Sequence, residues 1–136
     1  MNGPIPAQWA PYLLSTLRIV AASSFMTHGA QKLLGVPALE ARVPVALLSR
    51  AGLAGELELF GGLFLLIGLF TRPVAFLLSG EMAVAYFLSH GGRSFWPILN
   101  GGEPAILYCV IWLHVAAVGA GPWSLDALRQ SARRAP

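Results

Sequence analysis

Apolar residues gather in four long stretches, about 9–29, 51–70, 73–89 and 103–120, separated by shorter runs rich in glycine, proline and charge. Each stretch approaches the ~20 residues with which an α-helix crosses the hydrocarbon core of a bilayer. The pattern therefore predicts an all-α membrane protein, a four-transmembrane-helix bundle over residues 9–121. Residues 1–8, with two prolines and a glycine, read as an irregular lead, and residues 122–136 as a basic tail. The first loop, 34–50, mixes Glu40, Arg42, Ser49 and Arg50 with Leu39, Val43, Val45, Leu47 and Leu48. It reads as an amphipathic segment lying in the membrane interface, or equally as an ordinary half-buried loop.

Composition supports the same class. Of 136 residues 56% are hydrophobic and 11% charged, and the mean hydropathy is +0.66. Soluble domains carry about 25% charged residues, so charge cannot cover this surface and lipid must. The net charge of +3 comes from nine basic and six acidic residues. The basic residues lie outside the apolar stretches or at their ends, Arg18 excepted, as in membrane loops, so the excess does not point to nucleic acid. No Lys or Arg precedes the first stretch and Arg18 interrupts it, which predicts a retained helix rather than a cleavable signal. Cys109 is the sole cysteine, which excludes an internal disulfide, a CxxC relay and CxxCH haem attachment.

The informative residues are those that break the apolar pattern: Arg18, Glu58, Glu81 and His114, one in each stretch. A lone charge near the bilayer centre costs about 2.5–3.5 kcal/mol, so such groups turn inward and find partners. At ~1.5 Å rise per residue, Arg18, Glu81 and His114 fall ~9–14 Å from the surface that bears the termini. The depths predict a polar cluster of these residues with an Arg18–Glu81 ion pair, either as glue fixing helix register or as part of a working site. Glu58 shares a helix face with Gly55 and Gly62 and should turn inward as a structural bond or as a proton or ligand site. Glu56 points ~200° away. A second polar layer, nearer the other surface, would hold His28, Gln31, Lys32, Glu56 or Glu58, His90, Asn100 and Glu103. On the last helix Glu103, Val110 and His114 share a face.

The histidines sit at mismatched depths for axial haem ligation, and no close spacing of Cys, Met and His supports copper, so no metal site is expected. Catalytic triads, P-loops and dinucleotide loops are absent. Four against four basic residues leave orientation open under the positive-inside rule; the compact tail favours cytoplasmic termini.

Several segments carry motifs whose order and spacing read together. They are Leu17-Arg18 through His28-Gly29-Ala30-Gln31-Lys32-Leu33, Glu58-Leu59-Phe60-Gly61-Gly62 with Gly68-Leu69-Phe70-Thr71-Arg72, and Glu81 through Phe87 with His90. The last group is Phe95-Trp96-Pro97, Asn100-Gly101-Gly102-Glu103, Leu107-Tyr108 and Gly121-Pro122-Trp123-Ser124-Leu125-Asp126. Together they resemble the DoxX family of small bacterial membrane proteins, named for a subunit of a thiosulfate:quinone oxidoreductase, and the resemblance implies a multi-pass protein of the bacterial inner membrane. With it the sequence reads as an accessory or anchor component beside a redox partner, or in a homo-oligomer, lining a site for quinone or another lipophilic molecule, with no nucleic-acid partner. The alternative is a non-catalytic carrier or structural module binding a small molecule or ion. Independent catalysis ranks below both, since no cysteine pair, haem site or flavin motif is present.

Overall fold

The computed structural model describes residues 4–38 and 45–134, all of whose regular elements are helical. Residues 39–44, the middle of the expected interfacial segment, lie outside the described residues, as do 1–3 and 135–136.

Helix α1, Ala10–Leu34, follows a 3-10 turn at Ala7–Trp9 and carries proline near its start, where no intrahelical N–H is needed. It runs five residues past its predicted end, because the polar run after His28 packs against α2 instead of leaving the bundle. It closes on Gly35, whose φ of 68° is open to glycine without strain. Helix α2 is one continuous helix over 50–67, built of Arg50–Glu56, a π-helical turn at Leu57–Gly61, and Gly62–Ile67. Ser49 caps it by accepting from the Gly52 N–H at 3.0 Å. Helix α3, Thr71–Ser89, follows after a turn through Gly68 and Phe70, both at positive φ. A short helix α4, Pro97–Asn100, leads into α5, Glu103–Val118. The tail is not merely a charged extension: Leu125–Arg134 forms helix α6.

The bundle is two helix pairs. Helix α1 lies along α2, and α3 lies along α5. Small residues set the first contact: a Cβ on Gly29 would stand 2.5 Å from the Leu59 nitrogen and 2.6 Å from the Gly55 carbonyl. Phe25, Leu65, Leu78, Trp112 and Val115 fill the centre. Phe25 meets Trp112 edge-on, with ring centroids 5.5 Å apart. Helices α2 and α3 touch beside their shared turn and diverge away from it, leaving a cleft on that side.

The outward faces of the helices are apolar, with Val20, Leu63, Phe76, Phe87, Leu107 and Val110 all exposed. Among the described residues no helix is by itself long and apolar enough to cross a membrane. Hydroxyls and Arg18 dilute α1, the π turn divides α2, and α5 has 16 residues.

Candidate functional site

The buried polar groups form two separate centres, one at each end of the bundle. The first is at the end that bears the termini. Arg18, fully buried, donates through Nε to the Ala120 carbonyl at 2.8 Å and through Nη1 to Leu65 and Leu66. Its Nη2 donates to Trp123. The Leu65 and Leu66 carbonyls belong to the last turn of α2, where Leu65 also accepts from the Gly68 N–H at 3.2 Å, and lie at the negative end of the helix dipole. A guanidinium supplies five N–H donors in a fixed fork, and here it joins the end of α2 to the segment after α5.

This corrects the expected Arg18–Glu81 ion pair. The two residues were matched by depth, but the turn of each helix about its axis sends Arg18 toward backbone carbonyls and Glu81 toward the α2–α3 cleft. His114 is corrected too: it is exposed, and Glu103 and Val110, which share its face, are exposed with it. Val115 and Trp112 take the inward positions of α5.

Asp126 completes the joint. Its carboxylate accepts from the backbone N–H groups of Phe70 (3.0 Å) and Thr71 (2.8 Å), capping α3, while its own N–H donates to the Gly68 carbonyl at 2.9 Å. Partial burial works against its charge, but the bonds from Thr71 and Phe70 and the nearby Arg129 outweigh it. The carboxyl is held below its ordinary range. Arg72 donates to Ala116 (3.1 Å) and Ala117 (3.0 Å) at the end of α5. The two segments Gly68–Arg72 and Gly121–Asp126 thus meet in space around Arg18.

The second centre lies on α1, α2 and α3 at the opposite end. Lys32 on α1 pairs with Glu58 on α2, Nζ to Oε1 at 2.5 Å. Glu58 is 2% exposed and sits within the π turn on the face that carries Gly55 and Gly62; such turns recur at functional sites. Its Oε2 has no hydrogen-bond partner, nor has either carboxylate oxygen of Glu81, though all three atoms are buried. Glu58 and Lys32 are the charged neighbours that act on Glu81.

Glu81 and Lys32 line a cleft of about 870 Å³ between α2 and α3. Its walls are mostly apolar, including Leu53, Leu57, Leu77 and Val84, and Arg50 stands at its rim. A second hollow of about 540 Å³, with Phe60, Phe64 and Val74 in its walls, shares Leu53, Leu57 and Leu77 with the first, so one groove follows the α2–α3 seam. Gly80 lies in the wall, and a Cβ there would meet nothing within 4 Å.

The other residues of the expected second layer do not join this centre. His28 is exposed and stands edge-on to Tyr108, with centroids 6.0 Å apart. Gln31 donates to the Pro37 carbonyl at 3.3 Å. Glu56, half-buried, lines the second hollow. His90 Nδ1 lies 3.0 Å from the Asn100 carbonyl oxygen, and buried Asn100 donates to Ser94 (2.9 Å) and to the Tyr86 hydroxyl (3.3 Å) while accepting from Gly102 (2.7 Å). These two residues hold the loop before α5. Glu103 is exposed in the first turn of α5. Sequence reading assigned no role to Asp126, Arg50 or Gly80. A glycine beside a glutamate within an apolar stretch was the available signal for Gly80. Asp126 had its signal as the last residue of the Gly121–Asp126 motif that carries the family resemblance, and for Arg50 none existed without the fold.

Among the described residues no group of three or more His, Cys, Asp or Glu side chains could hold a metal ion. The cleft is an apolar groove with a few convergent charges.

The DoxX family model matches residues 13–91, which include α1 from Leu13 on, all of α2 and α3, and every charged residue of the cleft. A protein of Haemophilus influenzae, described as uncharacterized, is 41% identical over 130 residues, covering 88% of this chain and 92% of its own length. No solved structure matches the chain. The chain belongs to the DoxX family, and membership supports a membrane location.

Proposed function

We propose that the protein is an integral membrane subunit, an accessory or anchor component of a quinone-linked redox assembly, whose α2–α3 groove holds a lipophilic ring compound of the quinone class. In this reading α1, α2, α3 and α5 cross the bilayer and both termini are cytoplasmic. At ~1.5 Å per residue the 25 residues of α1 and the 19 of α3 span ~38 and ~28 Å. Those lengths suit a ~30 Å core with modest tilt or thinning. The exposed apolar faces support it, because lipid is the solvent that leaves them without penalty.

The observation that carries the ligand reading is Glu81. Its two oxygens are buried and unbonded in the wall of an apolar cleft, and buried polar groups are ordinarily satisfied. A quinol hydroxyl would donate to Glu81, and a quinone carbonyl would accept from Lys32. The hydrocarbon tail would follow the seam past Leu77 and Phe60. The chain's own part is to bind and orient the ring and to accept a proton at a carboxylate oxygen.

The test is direct. The protein is purified in mild detergent, its bound lipids are extracted, and quinone is sought by mass spectrometry. Added short-chain quinone should raise the melting temperature of the wild type, and Gly80→Phe, which fills the cleft, should abolish the rise without loss of fold. Absence of co-purified quinone together with absence of a thermal shift overturns the reading.

One observation favours a second reading. Two buried carboxylates face one lysine, and the other cation of the cleft, Arg50, stands exposed at its rim, so the buried part of the centre is short of positive charge. A carrier for lipophilic cations would use that imbalance. Stabilisation by tetraphenylphosphonium but not by quinone would select it.

A further inference from the structure

Helix α6 touches the bundle only through its start. Asp126 is bonded to Gly68, Phe70 and Thr71, Ser124 caps the helix by accepting from the Ala127 N–H at 3.1 Å, and Arg129 lies over the Phe70 ring at 4.9 Å. Residues 128–134 are all exposed, and among the described residues none of them forms an ion pair. A ten-residue helix is marginal in water unless it packs against something. At ~100° per residue Leu125, Leu128 and Ala132 fall along one side, with Arg129 and Arg133 flanking them. Around its base stand exposed Tyr12, Phe70 and Trp123, side chains suited to a membrane–water boundary.

We propose that α6 is an interfacial helix whose arginines bind the headgroups of anionic phospholipids, which rests on the reading of the bundle as membrane-embedded. Leu125 and Leu128 enter the acyl boundary. Arg129 and Arg133, beside the apolar side, take the phosphates, Arg134 on the far side adds only longer-range attraction, and Asp126 fixes the helix to the end of the bundle. Zwitterionic lipid satisfies the apolar side but not the three cations, so charge complementarity selects the anionic leaflet. Through Asp126 and Arg18, binding there bears on the joint that closes α2, α3 and α5.

The experiment uses the full chain in mild detergent, titrated with phosphatidylglycerol or phosphatidylcholine, and reads melting temperature and lipid retention by native mass spectrometry. The expected result is a phosphatidylglycerol preference that weakens at high salt. In the series R134Q, R133Q/R134Q and R129Q/R133Q/R134Q it should fall less than fivefold at the first step and about fivefold at each of the next two. Arg93→Gln, outside the tail, should leave it unchanged. Should the triple variant not fold, the salt dependence and the R134Q and double-variant steps still decide. Equal retention of the two lipids, or a preference untouched by salt and by these substitutions, overturns the proposal. A protein that needs no detergent would instead sink the membrane reading beneath it.

Discussion

Arg18 Nε donates to the carbonyl of Ala120 across 2.8 Å, so a cation that the apolar pattern assigns to a carboxylate is neutralised instead by helix-end dipoles. The choice is physically sound. Unpaired carbonyls at the end of α2 would be costly in an apolar surrounding, and one guanidinium satisfies Leu65, Leu66, Ala120 and Trp123 together.

Replacing Arg18 should therefore be severe and should not be rescued by charge alone. Arg18→Lys keeps the charge but has neither the reach nor the fork to serve four carbonyls. A loss of roughly 2 kcal/mol or more is expected, since buried bonds to charged groups are worth about 1.5–3 kcal/mol each. Thermal unfolding in detergent measures it, and a melting temperature equal to wild type for Arg18→Lys would contradict the joint.

Asp126 gives a pH signature outside the apolar segments. Its carboxyl is held lower in the folded protein than in the unfolded chain, so its contribution is present at neutral pH. That contribution fades as acid protonates it through and below the ordinary aspartate range of ~3.9. Asp126→Asn should lower the melting temperature at pH 7, with a cap worth about 1 kcal/mol, and should narrow the gap to wild type as pH falls toward 3. A constant gap across that window would show that the charge is irrelevant.

Two glycines should respond in opposite directions. Gly29→Ala drives a methyl to within 2.5 Å of the Leu59 nitrogen and should push α1 from α2 at a cost of about 1–3 kcal/mol. Gly80→Ala meets open space and removes a flexible helix position, so it should be neutral or stabilising by up to ~1 kcal/mol. Equal behaviour of the two variants in a melting series would refute the close α1–α2 contact.

The Lys32–Glu58 pair can be separated from mere hydrophobic packing by a double-mutant cycle. Lys32→Met strands a buried carboxylate and should cost about 3–5 kcal/mol, whereas K32M/E58M together should recover much of that loss. Additive losses would show that the two side chains do not depend on each other.

The apolar pattern by itself determined the helical class, because four runs of that length can bury their backbone polar groups only as helices. It also marked the sites of strain: Arg18, Glu58 and Glu81 interrupt those runs, and all three prove to carry buried polar atoms. The resemblance placed the chain in its family through motifs whose spacing the sequence displays. Which polar group meets which was beyond its reach. Depth follows from counting residues, but partnership depends on how each helix is turned about its axis and on which backbone ends lie nearby. Tertiary structure alone sent Arg18 to the Ala120 carbonyl, left His114 on the outer face, and brought Asp126 across to Phe70 and Thr71. It also opened the α2–α3 cleft, since that gap is set by how two helix pairs pack, and no single helix records it.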